Sequence, residues 1–285
     1  MARVEAATSA MFGDVYPLLA DLDRAVTRER WERLFDYRWR SDGDGLGYVL
    51  VERGAVVGFI ATLFSHRSID GRETRLCNTA HWVVRDEFRS EGLLLLAQTM
   101  QLKDCSLTNL TSSRKVSVMM QKLGYKLLEE RVTLLFPAPA LGWGHGAAPL
   151  ITADHQVIGE TLEPGDARIW TDHKDSNCAH VVVRDSDGSC YLVFTRKHRR
   201  FWGLSVPYCH VHYVGNRAVF LRHVGRVTRY FRRTFGAWFV AVDERLLGGV
   251  AVPFSITLRL PIPRYYRSAV LAPHQIDNLY TELVA

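Results

Sequence analysis

The chain of 285 residues carries a formal net charge of +6, with 47% hydrophobic and 23% charged residues. That is the composition of a soluble globular protein, and no apolar run approaches the roughly 18 residues that a membrane-crossing helix needs, so a helical membrane span is excluded. The length predicts two cores of about 140 residues each.

The positive charge suits phosphate-bearing ligands, nucleic acid or an anionic surface alike, and no aromatic-basic motif specifies nucleic acid. The opening residues Met1-Ala2-Arg3-Val4-Glu5 lack the regions of a signal peptide. Five scattered cysteines (Cys77, Cys105, Cys178, Cys190, Cys209) form no CxxC pair, which argues against a disulfide framework or a structural zinc site. A cytoplasmic chain with reduced thiols is expected.

In chain order, Asp14 to Leu22 and Thr27 to Tyr37 read as helices, the second with Trp31, Leu34 and Phe35 on one stripe. Tyr48 to Glu52 and Ala55 to Phe64 read as strands joined at Arg53-Gly54, and a third strand runs from Arg75 to Val84. Glu91 to Leu102 is apolar almost all round and predicts a helix buried against a sheet. A short strand over Cys105 to Leu110, a helix from Ser113 to Leu123 ended by Gly124, and a strand from Arg131 to Phe136 complete the half.

Pro137, Pro139, Gly142, Gly144 and Gly146 then break every periodicity. This predicts a first domain over 1–136, a linker over 137–150 and a second domain over 151–285. The element order returns after the linker. His180 to Arg184 and Cys190 to Thr195 flank an Asp187-Gly188 turn, Tyr208 to Val214 is the next strand, Arg217 to Phe235 a long helix and Ala237 to Val242 a strand. Phe254 to Leu260 alternates as a strand, and Gln275 to Leu283 reads as a closing helix. The recurrence points to an ancient duplication.

Arg89-Ser90-Glu91-Gly92, set between the third strand and the apolar helix, resembles the R-x-x-G-x-G/A turn of the GNAT acyltransferases. The middle hairpin at Gly54 to Phe59 and the Lys122-Leu123-Gly124-Tyr125 turn resemble that family as well. A turn into a helix N-terminus aims backbone N–H groups and the positive dipole end at one spot, which suits the pyrophosphate of coenzyme A. The resemblance implies an α/β (α+β) fold class, two consecutive GNAT-like folds, each a mixed, mostly antiparallel sheet with flanking helices. It implies acetyl-CoA or another acyl-CoA as co-substrate and an amine as acceptor, with a non-catalytic acyl-CoA-binding protein as the alternative.

The cofactor-binding residues implied are Trp82, Val84, Arg89, Ser90, Glu91, Gly92, Leu93 and Leu94, with Trp82 and Val84 offering backbone groups to the pantetheine arm. Leu94 replaces the final small residue of the turn, and Met120 stands where the family's proton-donating tyrosine commonly sits. Methionine cannot donate a proton. Ser113 stands where the family often has asparagine, and its hydroxyl either contacts the cofactor or caps the helix.

Alternation on the third strand puts Cys77, Thr79, His81 and Val83 on one face and Asn78, Ala80, Trp82 and Val84 on the other. His81, whose type titrates near neutrality, is the candidate general base, or else a hydrogen-bonded structural histidine. Cys105 is a weaker, nucleophilic candidate. In the second half His210 and His212 share a strand face, as metal ligands, cleft lining or internal hydrogen-bonding groups. Arg222, Arg226, Arg229 and Arg233 make a basic ridge on the long helix, for anions or simply solvated. Tyr213 to Arg217 lacks the glycine-rich turn, so the second copy suits coenzyme A less well.

Overall fold

The computed structural model describes residues 2–103, 105–138, 148–201 and 203–281; most of the expected linker, residues 139–147, lies outside them. The first half holds β1 (Arg3–Ala6), α1 (Phe12–Leu22), α2 (Arg28–Glu32), β2 (Gly47–Glu52), β3 (Ala55–Ile69), β4 (Arg72–Val84), α3 (Gly92–Met100), β5 (Ser106–Asn109), α4 (Arg114–Lys122) and β6 (Lys126–Leu135). The second holds β7 (Leu150–Thr152), α5 (His155–Thr161), α6 (Pro164–His173), β8 (Ala179–Asp185), β9 (Gly188–Phe201), β10 (Leu204–Val214), α7 (Arg217–Phe235), β11 (Val240–Asp243), α8 (Glu244–Leu247) and β12 (Ser255–Arg267).

In each half four strands form an antiparallel meander, and the fourth pairs in parallel with the fifth: β4 with β5, β10 with β11. The last strands are exchanged. β12 lies between β5 and β6, and β6 pairs onward with β11, which makes one 12-stranded sheet in the order β1-β2-β3-β4-β5-β12-β6-β11-β10-β9-β8-β7. Each half thus closes its sheet with the other's final strand.

β3 is buried from Val56 to Ser65 because helices cover both its faces, and a strand of that kind reads as a continuous apolar run. α7 buries Val219, Phe220, Val224, Val227 and Phe231 on one stripe. Its first turn is closed by Asn216, whose side chain accepts from the Val219 N–H, and its last by Gly236 at φ +69°. The α1–α2 face of the first half and the α5–α6 face of the second share a core that joins Leu19 and Phe59 to Ile169 and Tyr191. Trp39 stacks on His173 across it, ring centroids 4.9 Å apart. Among the described residues no helix is long and apolar enough to cross a membrane.

Four expectations are corrected. The helix expected over Thr27 to Tyr37 is α-helical only at Arg28–Glu32, because Leu34, Phe35 and Asp36 donate three residues back and tighten the chain so that Trp31, Leu34, Phe35 and Tyr37 all become buried. α3 is not sealed all round: it packs Leu95 and Leu96 inward and leaves Leu93 and Leu94 51% and 45% exposed. β12 runs on through Pro261 and Pro263, its register with β6 shifting between Arg259 and Arg264, so the prolines that end its alternation in sequence mark an irregularity within the strand. The closing helix is replaced by a 3-10 turn at Pro273–Gln275 and an irregular strap to residue 281; its polar groups reach Arg67 and Asp70 of the first half and Asp172, His212, Asp243 and Arg245 of the second.

Candidate active site

The ladder between β4 and β5 has three pairs, Leu76 with Ser106, Cys77 with Leu107 and Asn78 with Thr108. Side chains seal its last step. Thr79 Oγ1 donates to the Thr108 carbonyl at 3.0 Å, Asn109 Nδ2 donates to the Thr79 carbonyl at 2.9 Å, and Thr108 Oγ1 donates to Asn78 Oδ1 at 3.1 Å. Beyond it the two chains diverge. β4 continues to Val84 along β3, while the chain after β5 turns into α4.

The wedge between them opens on a cavity of about 510 Å³, lined by His81 and Trp82 of β4, by Asn109, Ser112, Ser113 and Val116 around the start of α4, and by Arg30, Trp31 and Leu34 of the opposite wall. His81 sits at a bulge, with Ala80 paired to Ala61 and Val83 to Phe59, and takes φ +49°. The left-handed region is unfavourable for a side chain with a Cβ and marks a position held by its surroundings. The bulge corrects the expected alternation. Cys77, Trp82 and Val84 share the core beneath α3 and α4, whereas Ala80 and Val83 join the core beneath α1. His81 and Trp82, neighbours in sequence, therefore both reach the cavity. The Trp31 ring stands edge-on to His81 with centroids 4.8 Å apart.

Ser113 caps α4, its Oγ accepting from the Val116 N–H at 3.4 Å, and it is exposed on the cavity side. The cap reading of this residue is realised. Arg114 and Lys115 add charge to the positive end of the helix. At α3, Gly92 packs on β4 so closely that a Cβ there would lie 3.0 Å from Val84 Cγ2 and 3.7 Å from Trp82 Nε1. A side chain would push the helix start away from the strand. Arg89 and Ser90 are exposed on the turn before α3, with Arg89 paired to Asp86 at 2.7 Å. Glu91 accepts the Ala2 backbone N–H at 3.1 Å.

The structure thus groups His81, Trp82 and Ser113 around one cavity, and of the Arg89 to Leu94 turn it brings Gly92 against Val84 and Trp82, outside the lining. Cys105 lies outside the lining, half-buried, where a hydrogen bond to Cys77 lowers its thiol pKa. Trp31 and Asn109 carry cavity polar atoms that the sequence reading did not assign to a site. Trp31 reads there as one member of a core stripe and Asn109 as one residue of a short strand.

No family model and no curated protein sequence matches the chain. Solved structures match over nearly its whole length. A probable N-acyltransferase from Enterococcus faecalis superposes with a TM-score of 0.62 at 13% identity, over 94% of this chain and 72% of that one. GCN5-related N-acetyltransferases from Anabaena variabilis (TM-score 0.58, 13% identity, 94% and 72% covered) and from Kribbella flavida (0.56, 17%, 94% and 71%) agree with it. The chain has the GNAT fold. The GNAT-like turn at Lys122 to Tyr125 closes α4 through Gly124 at φ +81°. Met120 within it is 1% exposed, packed in the core with Leu107 and Tyr125, and does not reach the cavity.

The second half has a wedge of its own, and the strap enters it. β10 and β11 pair through Cys209–Val240, His210–Ala241 and Val211–Val242, with a bulge between Val211 and Tyr213. There the strap lies against His212, whose carbonyl accepts the Asn278 N–H at 3.1 Å. Asn278, 0% exposed, takes Arg245 Nη2 on its Oδ1 at 2.6 Å and donates Nδ2 to Asp243 Oδ2 at 2.8 Å. Tyr280 donates to Asp172 at 2.8 Å, and Asp277 pairs with half-buried Arg67 of β3.

Burial opposes the charge on Asp243, but the guanidiniums of Arg245 and Arg264 hold its carboxyl well below the usual range. Burial keeps both His210 and His212 below the usual histidine value. His210 bonds to Asp243 at 3.5 Å and His212 to Thr195 at 2.8 Å, so of the open readings for this pair the structure gives the internal one. The ridge on α7 is partly spent as well. Arg222 pairs with Asp185 and Asp187, and Arg229 donates to the Ala138 carbonyl.

Proposed function

We propose that the protein transfers an acyl group, most simply acetyl, from acyl-CoA to an amine in the first wedge, between β4 and the start of α4. The observation that carries this reading is the difference between the two wedges: the first holds a cavity lined by His81, Trp82 and Ser113, and in the second the Asn278 N–H of the strap bonds to the His212 carbonyl where the strands part. In this reading the turn from Arg89 to Leu94 holds the pyrophosphate, with Arg89 freed from exposed Asp86 to meet it. The backbone of Trp82 and Val84 runs beside the pantetheine arm, since β4 has no partner strand on that side beyond the ladder. His81 takes the proton from the amine, directly or through a water, as nitrogen attacks the thioester carbonyl. The C–S bond breaks, and the sulfur leaves as thiolate.

Met120 favours a second reading, a binder of acyl-CoA that does not turn it over, because no acid stands at that position. Acetyl-CoA is expected to raise the melting temperature of the wild type and, in Arg89→Glu, to bind about tenfold more weakly with folding intact, since Arg89 is 70% exposed. Free thiol released on adding an amine separates enzyme from binder. An Arg89→Glu variant that binds acetyl-CoA as the wild type does sinks the proposed site.

A further inference from the structure

Asn109, the last residue of β5, has a fixed carboxamide: Nδ2 donates to the Thr79 carbonyl at 2.9 Å and lies 3.3 Å from Thr79 Oγ1. Those contacts decide which end of the amide is nitrogen. The other end, Oδ1, is buried without a hydrogen-bond donor, although the residue, 7% exposed, forms part of the cavity wall. A buried oxygen that gave up water and gained no donor carries its full desolvation penalty, and folded proteins rarely leave one so.

The same wall presents the opposite need twice. The indole N–H groups of Trp31 and Trp82 are also buried and unpartnered. Asn109 and the two tryptophans, each with an unpartnered polar atom, thus line the same cavity as His81. A thioester carbonyl can accept from an indole N–H but offers nothing to Asn109. The reactant that brings an N–H to the carbonyl carbon is the amine.

Resting on the acyl-transfer reading, we propose that Asn109 Oδ1 positions the acceptor by taking an N–H of an amine in its neutral form. Chemistry supports a carboxamide over a carboxylate here. A carboxylate would strongly stabilise the ammonium, whose nitrogen has no lone pair to attack with, whereas an uncharged amide oxygen orients the amine and raises its pKa far less. Attack then forms the C–N bond, the nitrogen's surplus proton passes to His81 and the electron pair of the C–S bond leaves on sulfur.

The test compares wild type, Asn109→Leu and Asn109→Asp, using acetyl-CoA with n-butylamine, spermidine and the dipeptide Ala-Ala as probes, read by thermal shift and by thiol release across pH. In Asn109→Leu the KM for the amine is expected to rise at least tenfold, while the acetyl-CoA KM and thermal shift stay within twofold of wild type. In Asn109→Asp the alkaline displacement of the pH–rate profile is expected to reach at least half a unit, a change that a purely structural role would not produce. The proposal is overturned if Asn109→Leu leaves the amine KM unchanged, or raises both KM values together, which would put the oxygen against the pantetheine arm or the fold. It is overturned too if none of the amines stabilises or reacts with the acetyl-CoA-bound wild type. Loss of acetyl-CoA binding by the wild type itself would instead remove the acyl-transfer reading on which this rests.

Discussion

The two wedges share a backbone plan and differ in what occupies them. In each, a parallel pair of strands separates after three residue pairs, and the longer strand bulges at the point of divergence, near His81 in one and His212 in the other. In the first, the polar atoms left at the wall are those of Trp31, Trp82 and Asn109, with no partner from the chain. In the second, Asn278 meets the carbonyl of His212, and its side chain completes the shell of Asp243 and Arg245. A splayed pair exposes backbone groups that must be satisfied by something. The strap meets the His212 carbonyl in the second half; in the proposed function an acyl-CoA takes the corresponding place in the first.

The largest test of this contrast is Asp243→Asn. It leaves the buried cations Arg245 and Arg264 without their shared anion, and a loss of about 3–5 kcal/mol in urea unfolding is expected. Acidification comes next. His180, 2% exposed, bonds through Nδ1 to the Tyr191 hydroxyl and through Nε2 to the His173 carbonyl, and burial lowers its pKa to about 4. Because the unfolded chain binds this proton near pH 6.5 and the folded chain does not, stability contributed by His180 is whole above that pH. It is lost as pH falls toward 4, by about 3 kcal/mol, in denaturant titrations at stepped pH. A stability that holds level from pH 7 to pH 4 would deny a neutral, buried His180. The smallest effect is that of Asn278→Ala, about 2 kcal/mol in the same assay. This variant sharpens the comparison, since acetyl-CoA affinity should not change if ligand binds only in the first wedge.

Much of the fold was legible because its elements are locally specified. α7 has an asparagine cap, an apolar stripe and a left-handed glycine, and its ends fall where those signals lie. The strand exchange left no such trace: alternation tells which face of β6 or β12 is buried, not that each lies in the other half's sheet. The site was legible in part. His81, Trp82 and Ser113 meet at one cavity, yet the bulge that makes neighbours His81 and Trp82 both reach it is a backbone choice that a period of two cannot foretell. Asn109 was hidden for a different reason. Its weight comes from a missing partner, which exists only once Thr79, β5 and α4 are assembled around it. The strap escaped because Asp277, Asn278 and Tyr280 find partners far away in sequence, in Arg67, Asp243 and Asp172.

Hydrogen–deuterium exchange with and without acetyl-CoA tests the central claim, that the first wedge is the working one, most directly. The account predicts slowed exchange at residues 80–84, at the starts of α3 and α4, and no change over 212–219 or 276–281. Protection confined to 212–219 with release of the strap would contradict it.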